Sequence, residues 1–301
     1  MSAPSAAPTG APTGIKLWIA GARPRTLGAA VSPVVVGTAA AYADSGDISW
    51  GRAALALVVA VALQIGVNFA NDYSDGVRGT DRDRVGPLRL TASGLASPSA
   101  VRAAALVAFG VAASAGLALA LIVEPWLLIA GAASLAAAVL YTGGPKPYGY
   151  LGLGEIMVLV FFGFVATAGS AFVQLERIPA AAWWGSLVMG LLACGILLAN
   201  NIRDVATDTV AGKRTLAVRL GDRRARVLYG AVVVGAFLAV IPIALDFPGA
   251  LLAYVALPLG ARPTRLVLQG ATGPGLIGAL VGTARLETAV ALLLGVGVWL
   301  R

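Results

Sequence analysis

The chain has 301 residues, 58% hydrophobic and only 12% charged. A soluble domain carries about 25% charged residues, so an ordinary water-soluble enzyme is excluded and a polytopic membrane protein is expected. There is no histidine and one cysteine, which excludes histidine acid–base chemistry, histidine metal ligation and an intrachain disulfide, and the net charge of +8 reports membrane topology rather than nucleic-acid binding.

Residues 1–14 (MSAPSAAPTGAPTG) are uncharged and rich in Ala, Pro and Ser. They read as a disordered tail, without the basic-then-apolar order of a signal peptide. Residues 15–301 read as one all-α transmembrane domain. A spanning helix needs about 20 mostly apolar residues. Candidate spans fall near 27–43, 52–71, 100–121, 125–141, 155–174, 183–201, 225–244, 248–260 and 283–300. The eighth is short, and the Gly-rich stretch 266–282 belongs to it or to the ninth. Cys194 lies inside the sixth span and reads as a small buried hydrophobe. Trp183 and Trp184 read as interfacial anchors.

Alternating loops divide the basic residues unequally: 19 of the 22 lysines and arginines fall on the side of the N-terminus. The positive-inside rule then predicts a cytoplasmic N-terminus, an external C-terminus and an odd number of spans in the cell membrane. The two long polar connections, 72–99 and 202–224, share that side. Each is far longer than a usual helix–helix link, which suggests functional caps facing each other.

Asn68-Phe-Ala-Asn71-Asp72-Tyr-Ser-Asp75 closes the second span, and Asp81 follows. Taken as helix, Asn68, Asp72 and Asp75 share one face, with Asn71 one turn from Asp75. The sixth span closes on Asn200-Asn201-Ile-Arg203-Asp204, with Asp208 one turn on. Carboxylates at the membrane are costly unless neutralised. Repulsion within each column favours bound cations over salt bridges to neighbouring arginines for Asp72, Asp75, Asp204 and Asp208. Asp83, Asp222, Arg82 and Arg84 read instead as solvated ion pairs. Mg²⁺ takes oxygen ligands and shares them with phosphate, so two facing columns suit two Mg²⁺ around a diphosphate. Arg78, Arg89, Arg203, Lys213 and Arg214 can meet the same phosphate oxygens.

N-x-x-N-D-x-x-D-x-x-x-G-x-D at 68–81 and N-N-x-R-D-x-x-x-D at 200–208 resemble the two aspartate motifs of the UbiA superfamily of intramembrane prenyltransferases. Finer matches are similar to its 1,4-dihydroxy-2-naphthoate polyprenyltransferase branch. They are Ala22-Arg-Pro-Arg-Thr-Leu27, Asn71–Gly94, Tyr141-Thr-Gly-Gly-Pro-Lys146-Pro-Tyr148-Gly-Tyr150 through Glu155, and Ala211-Gly-Lys213-Arg214 through Gly221. The resemblance covers most of residues 20–225. It implies nine transmembrane helices, Mg²⁺ dependence, a polyprenyl diphosphate donor and an aromatic acceptor, with Asp72 and Asp75 on one metal and Asp204 and Asp208 on the other. Asn68, Asn71, Asn200 and Asn201 would orient ligands, and Asp81 would take a hydroxyl proton. Tyr141, Lys146, Tyr148 and Tyr150 are acceptor-site candidates or an interfacial aromatic belt. Tyr141 to Lys146 is one residue longer than the Tyr-x-x-x-Lys of relatives acting on other aromatics. Glu155 enters the fifth span and needs a partner. The alternatives are another acceptor (4-hydroxybenzoate, homogentisate or haem), a CDP-alcohol phosphotransferase, for which Asp72-Tyr-Ser-Asp75-Gly is a partial match, and a cation transporter.

Overall fold

A computed structural model describes residues 12–79 and 88–300. Asp81, Arg82, Asp83 and Arg84 lie outside the described residues, as does most of the N-terminal tail. Every described element is helical. The chain begins with α1 (Ile15–Thr26) and α2 (Gly28–Ser45), bent by 52°. Then come α3 (Trp50–Arg78), α4 (Pro98–Ile122), α5 (Leu127–Leu140), α6 (Gly154–Leu175) and α7 (Ala180–Val210). The short α8 (Leu216–Leu220) leads into α9 (Asp222–Asp246), α10 (Pro248–Leu268) and α11 (Gly273–Trp299).

Each of the nine expected spans has a helical counterpart, but nine is approximate. Seven described helices are long and apolar enough to cross a membrane, and the bent α1–α2 pair makes an eighth. Helix α5 has 14 residues, short of the roughly 20 a full crossing needs. The Gly-rich 266–282 stretch is divided: it closes α10 and, after a break in which Gly270 takes φ 87°, opens α11.

Helices α3 and α7, with 29 and 31 residues, both continue past their expected ends at 71 and 201 by about two turns. Gly79, with φ 72°, stops α3 by bonding back to Asp75 and Gly76 carbonyls in the left-handed conformation that suits glycine. These extensions make both carboxylate clusters helical. Ser97 opens α4, its hydroxyl accepting from the Ala100 N–H at 3.3 Å, with Pro98 in the first turn, as expected of a capped start.

Two apolar cores hold the bundle. The larger joins α2, α7, α9, α10 and α11 through fully buried Met189, Leu192, Leu198, Tyr229, Leu286 and Leu294. The smaller joins α3, α4 and the 88–97 connection through Phe69, Leu90, Val101 and Phe109. In lipid, close packing rather than escape from water drives such association. A Cβ on Gly297 would stand 2.0 Å from the Gly249 carbonyl oxygen, so α11 meets the start of α10 only because both positions are glycine.

Candidate active site

Helix α3 carries the first cluster on its buried face. Asn68, Asp72 and Asp75 are 4%, 0% and 2% exposed. Asn68 donates to the Ala22 carbonyl at 2.9 Å and to the Thr26 hydroxyl at 3.0 Å. Those two residues flank a break within α1, where Arg23 takes a left-handed conformation ahead of Pro24. A residue before proline is disfavoured in the α region, and Asn68 fastens the resulting break. Asn71 accepts from the Thr142 hydroxyl at 2.7 Å. Arg78 donates to the carbonyls of Thr142 and Gly144, tying the end of α3 to the turn after α5.

Asp72 accepts the backbone N–H groups of Leu90 at 2.7 Å and Thr91 at 2.9 Å, one on each oxygen. It anchors the segment that places Leu90 in the smaller core and carries Arg89. Asp75 accepts from the Tyr150 hydroxyl and pairs with the Lys213 ammonium at 3.3 Å. The turn after α5 (residues 148–151) and the turn after α7 (residues 211–214) therefore converge on one α3 carboxylate. The Arg214 N–H completes the junction by donating to the Tyr150 carbonyl at 2.9 Å.

Helix α7 carries the second cluster: Asn201, Arg203, Asp204 and Asp208 are all buried. Arg203 grips Asp204 with two bonds of 2.7 Å and reaches the Asn200 side-chain oxygen at 2.8 Å. The Lys213 N–H donates to the Asp208 carbonyl at 2.8 Å. Lys213, just beyond Asp208, thus links the two clusters. Lys213 pairs with Asp75 because the turn after α7 folds back over α3, and Arg203 pairs with Asp204 by curling onto its own helix. Asp222 does pair with Arg226, at 2.7 Å.

The acceptor-site candidates separate. Tyr150 belongs to the carboxylate junction, its ring also stacked beneath Lys213 Nζ at 4.6 Å. Burial pushes its phenol well above the usual tyrosine range, and the Asp75 charge and hydrogen bond add to that. Tyr148 donates to the Ala137 carbonyl at 2.9 Å and meets the Tyr141 ring edge-on at 5.5 Å. Burial pushes its phenol up to about 12. Lys146 and Arg214 are exposed. Glu155 finds the partner its position demanded: it accepts from the Asn201 amide at 2.8 Å, while the Cys194 thiol lies 3.1 Å from its carbonyl.

Sequence reasoning missed Glu287. It is fully buried on α11, and among the described residues neither carboxylate oxygen has a hydrogen-bond partner. A lone glutamate inside an apolar span is itself the signal that marks such a position. Gln64 and Thr142, which extend the Asn68 and Asn71 networks, carry no comparable signal. Among the described residues no three carboxylates or cysteines form a ready metal cage. The donors gathered at this end are nevertheless all oxygen, which suits Mg²⁺.

The profile of the UbiA prenyltransferase family matches residues 30–272. The chain belongs to this family. It is 49% identical over 276 residues to the 1,4-dihydroxy-2-naphthoate octaprenyltransferase of Mycobacterium tuberculosis, covering 91% of this chain and 94% of that one. The protein of the same name in Escherichia coli is 40% identical over 225 residues, covering 72% and 73%. The fold matches that of a UbiA homolog from Aeropyrum pernix K1 with a TM-score of 0.67 at 19% identity, covering 90% of this chain and 97% of that one. A UbiA homolog from Archaeoglobus fulgidus bound to DMAPP and Mg²⁺ matches with a TM-score of 0.60 at 16% identity, covering 93% and 99%. Family membership sets aside the CDP-alcohol phosphotransferase and the cation transporter. This UbiA-family chain is an aromatic prenyltransferase built as a multi-pass membrane bundle.

Proposed function

We propose that the chain transfers a polyprenyl group from a polyprenyl diphosphate to 1,4-dihydroxy-2-naphthoate, releasing CO₂ and diphosphate and forming a demethylmenaquinol. The observation that carries this reading is the 49% identity, over nearly the whole of both chains, to a relative named for that reaction. The junction of Asp75, Tyr150 and Lys213 with the Asp204–Asp208 turns supports it, since it gathers acidic and basic groups at one end of the bundle.

Asp72 and Asp75 on α3 and Asp204 and Asp208 on α7 would hold Mg²⁺, two ions in this reading, which would supply charge stabilisation for the departing diphosphate. The protein cations complete the charge balance. Lys213 and Arg203, paired here with Asp75 and Asp204, would become available to phosphate oxygens with those carboxylates on metal. Arg89 and Arg214, on the connections that follow α3 and α7, would add to that balance. The allylic C–O bond breaks, its electron pair leaving with diphosphate. The ring carbon that bears the acceptor carboxylate forms the new C–C bond. That carboxylate then leaves as CO₂, and its bonding pair restores the aromatic ring. Loss of CO₂ removes the need for a strong protein base, consistent with a chain that has no histidine. The basic excess on the loops at this end supports a cytoplasmic active site and N-terminus.

The test is a prenyl-transfer assay of the purified chain in phosphatidylcholine vesicles, with a polyprenyl diphosphate and a panel of aromatic acceptors. Dihydroxynaphthoate should be consumed with CO₂ release. Chelation should abolish turnover and Mg²⁺ should restore it. Turnover of 4-hydroxybenzoate or homogentisate but not of dihydroxynaphthoate would overturn the acceptor. Turnover unaffected by chelation would overturn the metal site.

A further inference from the structure

The outer face formed by α9 and α10 contains a groove of about 480 Å³. Its walls are apolar along most of their length, with Val234 and Leu238 on α9 and Leu257 and Ala261 on α10. Val234 and Leu238 are 59% and 58% exposed, so this concavity faces the surrounding lipid. One end is different. Thr264 and Arg265 line it there, and no acidic residue lines any part of it. Arg262 stands one turn earlier on the same helix and is also exposed. Among the described residues neither arginine has an ion-pair or hydrogen-bond partner. Two unpaired guanidiniums on a membrane-spanning helix are costly unless something anionic meets them.

The orientation follows from α9. Arg226, near its start, donates to the Val267 carbonyl at the end of α10 at 2.6 Å. Helix α9 begins just after α8, which follows the Lys213 turn. The arginine end of the groove therefore lies at the carboxylate end of the bundle, at headgroup depth. From Gly230, which faces Leu268, to Leu238 the apolar part extends about 12 Å at the helical rise.

We propose that this groove binds one anionic phospholipid of the adjacent leaflet, with an acyl chain along Val234–Leu238 and the phosphate on Arg265 and Arg262. Guanidinium groups suit phosphate through paired hydrogen bonds, and basic pockets between transmembrane helices are a recurrent way to hold acidic headgroups.

The test titrates the delipidated full chain, in detergent, with phosphatidylglycerol or phosphatidylcholine of matched acyl chains and counts bound lipid by native mass spectrometry. One phosphatidylglycerol should bind in preference to phosphatidylcholine. Arg265→Gln should weaken it roughly fivefold, and Arg262→Gln with Arg265→Gln roughly thirtyfold, at about 1 kcal/mol per arginine near the surface. Val234→Trp, which fills the apolar part, should abolish it with both arginines intact. Unchanged thermal midpoints in phosphatidylcholine would establish that the variants fold. Equal binding of the two lipids, undiminished phosphatidylglycerol binding in the double variant, or unchanged binding in Val234→Trp would overturn the proposal. So would displacement by geranylgeranyl diphosphate, which would make the groove a donor channel, or dimer formation in place of lipid uptake.

Discussion

On α3, Asp72 and Asp75 are bound across the chain. Asp72 holds the backbone of Leu90 and Thr91, and Asp75 holds Tyr150 and Lys213 from two other connections. On α7, Asp204 is bound by the residue before it, Arg203, which also takes Asn200 from the preceding turn. One helix end therefore fastens three loops, while on the other Asp204 takes a partner from its own helix. A ligand that claims Asp204 displaces Arg203, a neighbour on the same helix. A ligand that claims Asp72 or Asp75 must also release loop backbone or a neighbouring turn. Binding at the two clusters should differ accordingly in how much of the cap it reorganises.

The largest expected effect falls on the Arg203–Asp204 pair. Asp204→Ala leaves Arg203, whose side chain is 3% exposed, as a buried charge without its carboxylate. That should cost about 3–5 kcal/mol of stability and also abolish prenyl transfer. The double variant Arg203→Ala, Asp204→Ala should recover most of the stability and none of the activity. Thermal unfolding in vesicles beside the transfer assay checks both, and a double variant as unstable as the single one would break the comparison. On the fastening side, Asp72→Asn keeps one acceptor oxygen and leaves a loop N–H unsatisfied. It should cost about 1–3 kcal/mol and speed amide exchange at Leu90 and Thr91 while leaving Arg203 and Asp204 protected.

A double-mutant cycle on Asp75→Asn and Lys213→Met sharpens the link between clusters. Their coupling should be near 1 kcal/mol, and additive effects would show that the Asp75–Lys213 pairing does not stabilise the fold. The smallest effect is titration of Tyr148, whose phenol is raised by burial from the ordinary tyrosine value of 10.0 to about 12. The neutral phenol is favoured in the fold, so the stability it contributes is fully present below pH 10 and is lost as pH rises from 10 to 12. Tyr148→Phe should flatten the alkaline loss of stability in that window, measured as thermal midpoint against pH.

Much of this protein was legible in its residues. The apolar runs exceed what any soluble core needs, and the bilayer leaves the backbone no alternative to helix. The 3.6-residue period alone puts Asn68, Asp72 and Asp75 on one face, and that face is the buried one. Helix ends were less legible. Hydropathy falls where α3 and α7 leave the lipid, yet their backbones continue to Arg78 and Val210. Glu287 escaped notice because its span remained apolar on average.

By itself the sequence determined a helical membrane bundle, two acidic helix ends, their shared side and the family, because side-chain periodicity, lipid exclusion and motif spacing are local properties. Only the tertiary structure decided which partner each carboxylate holds. Lys213 lies 138 residues from Asp75 and Leu90 lies 18 from Asp72, and such pairings depend on how the turns fold over the bundle. The same is true of the groove at Arg265, which exists only where α9 and α10 pack.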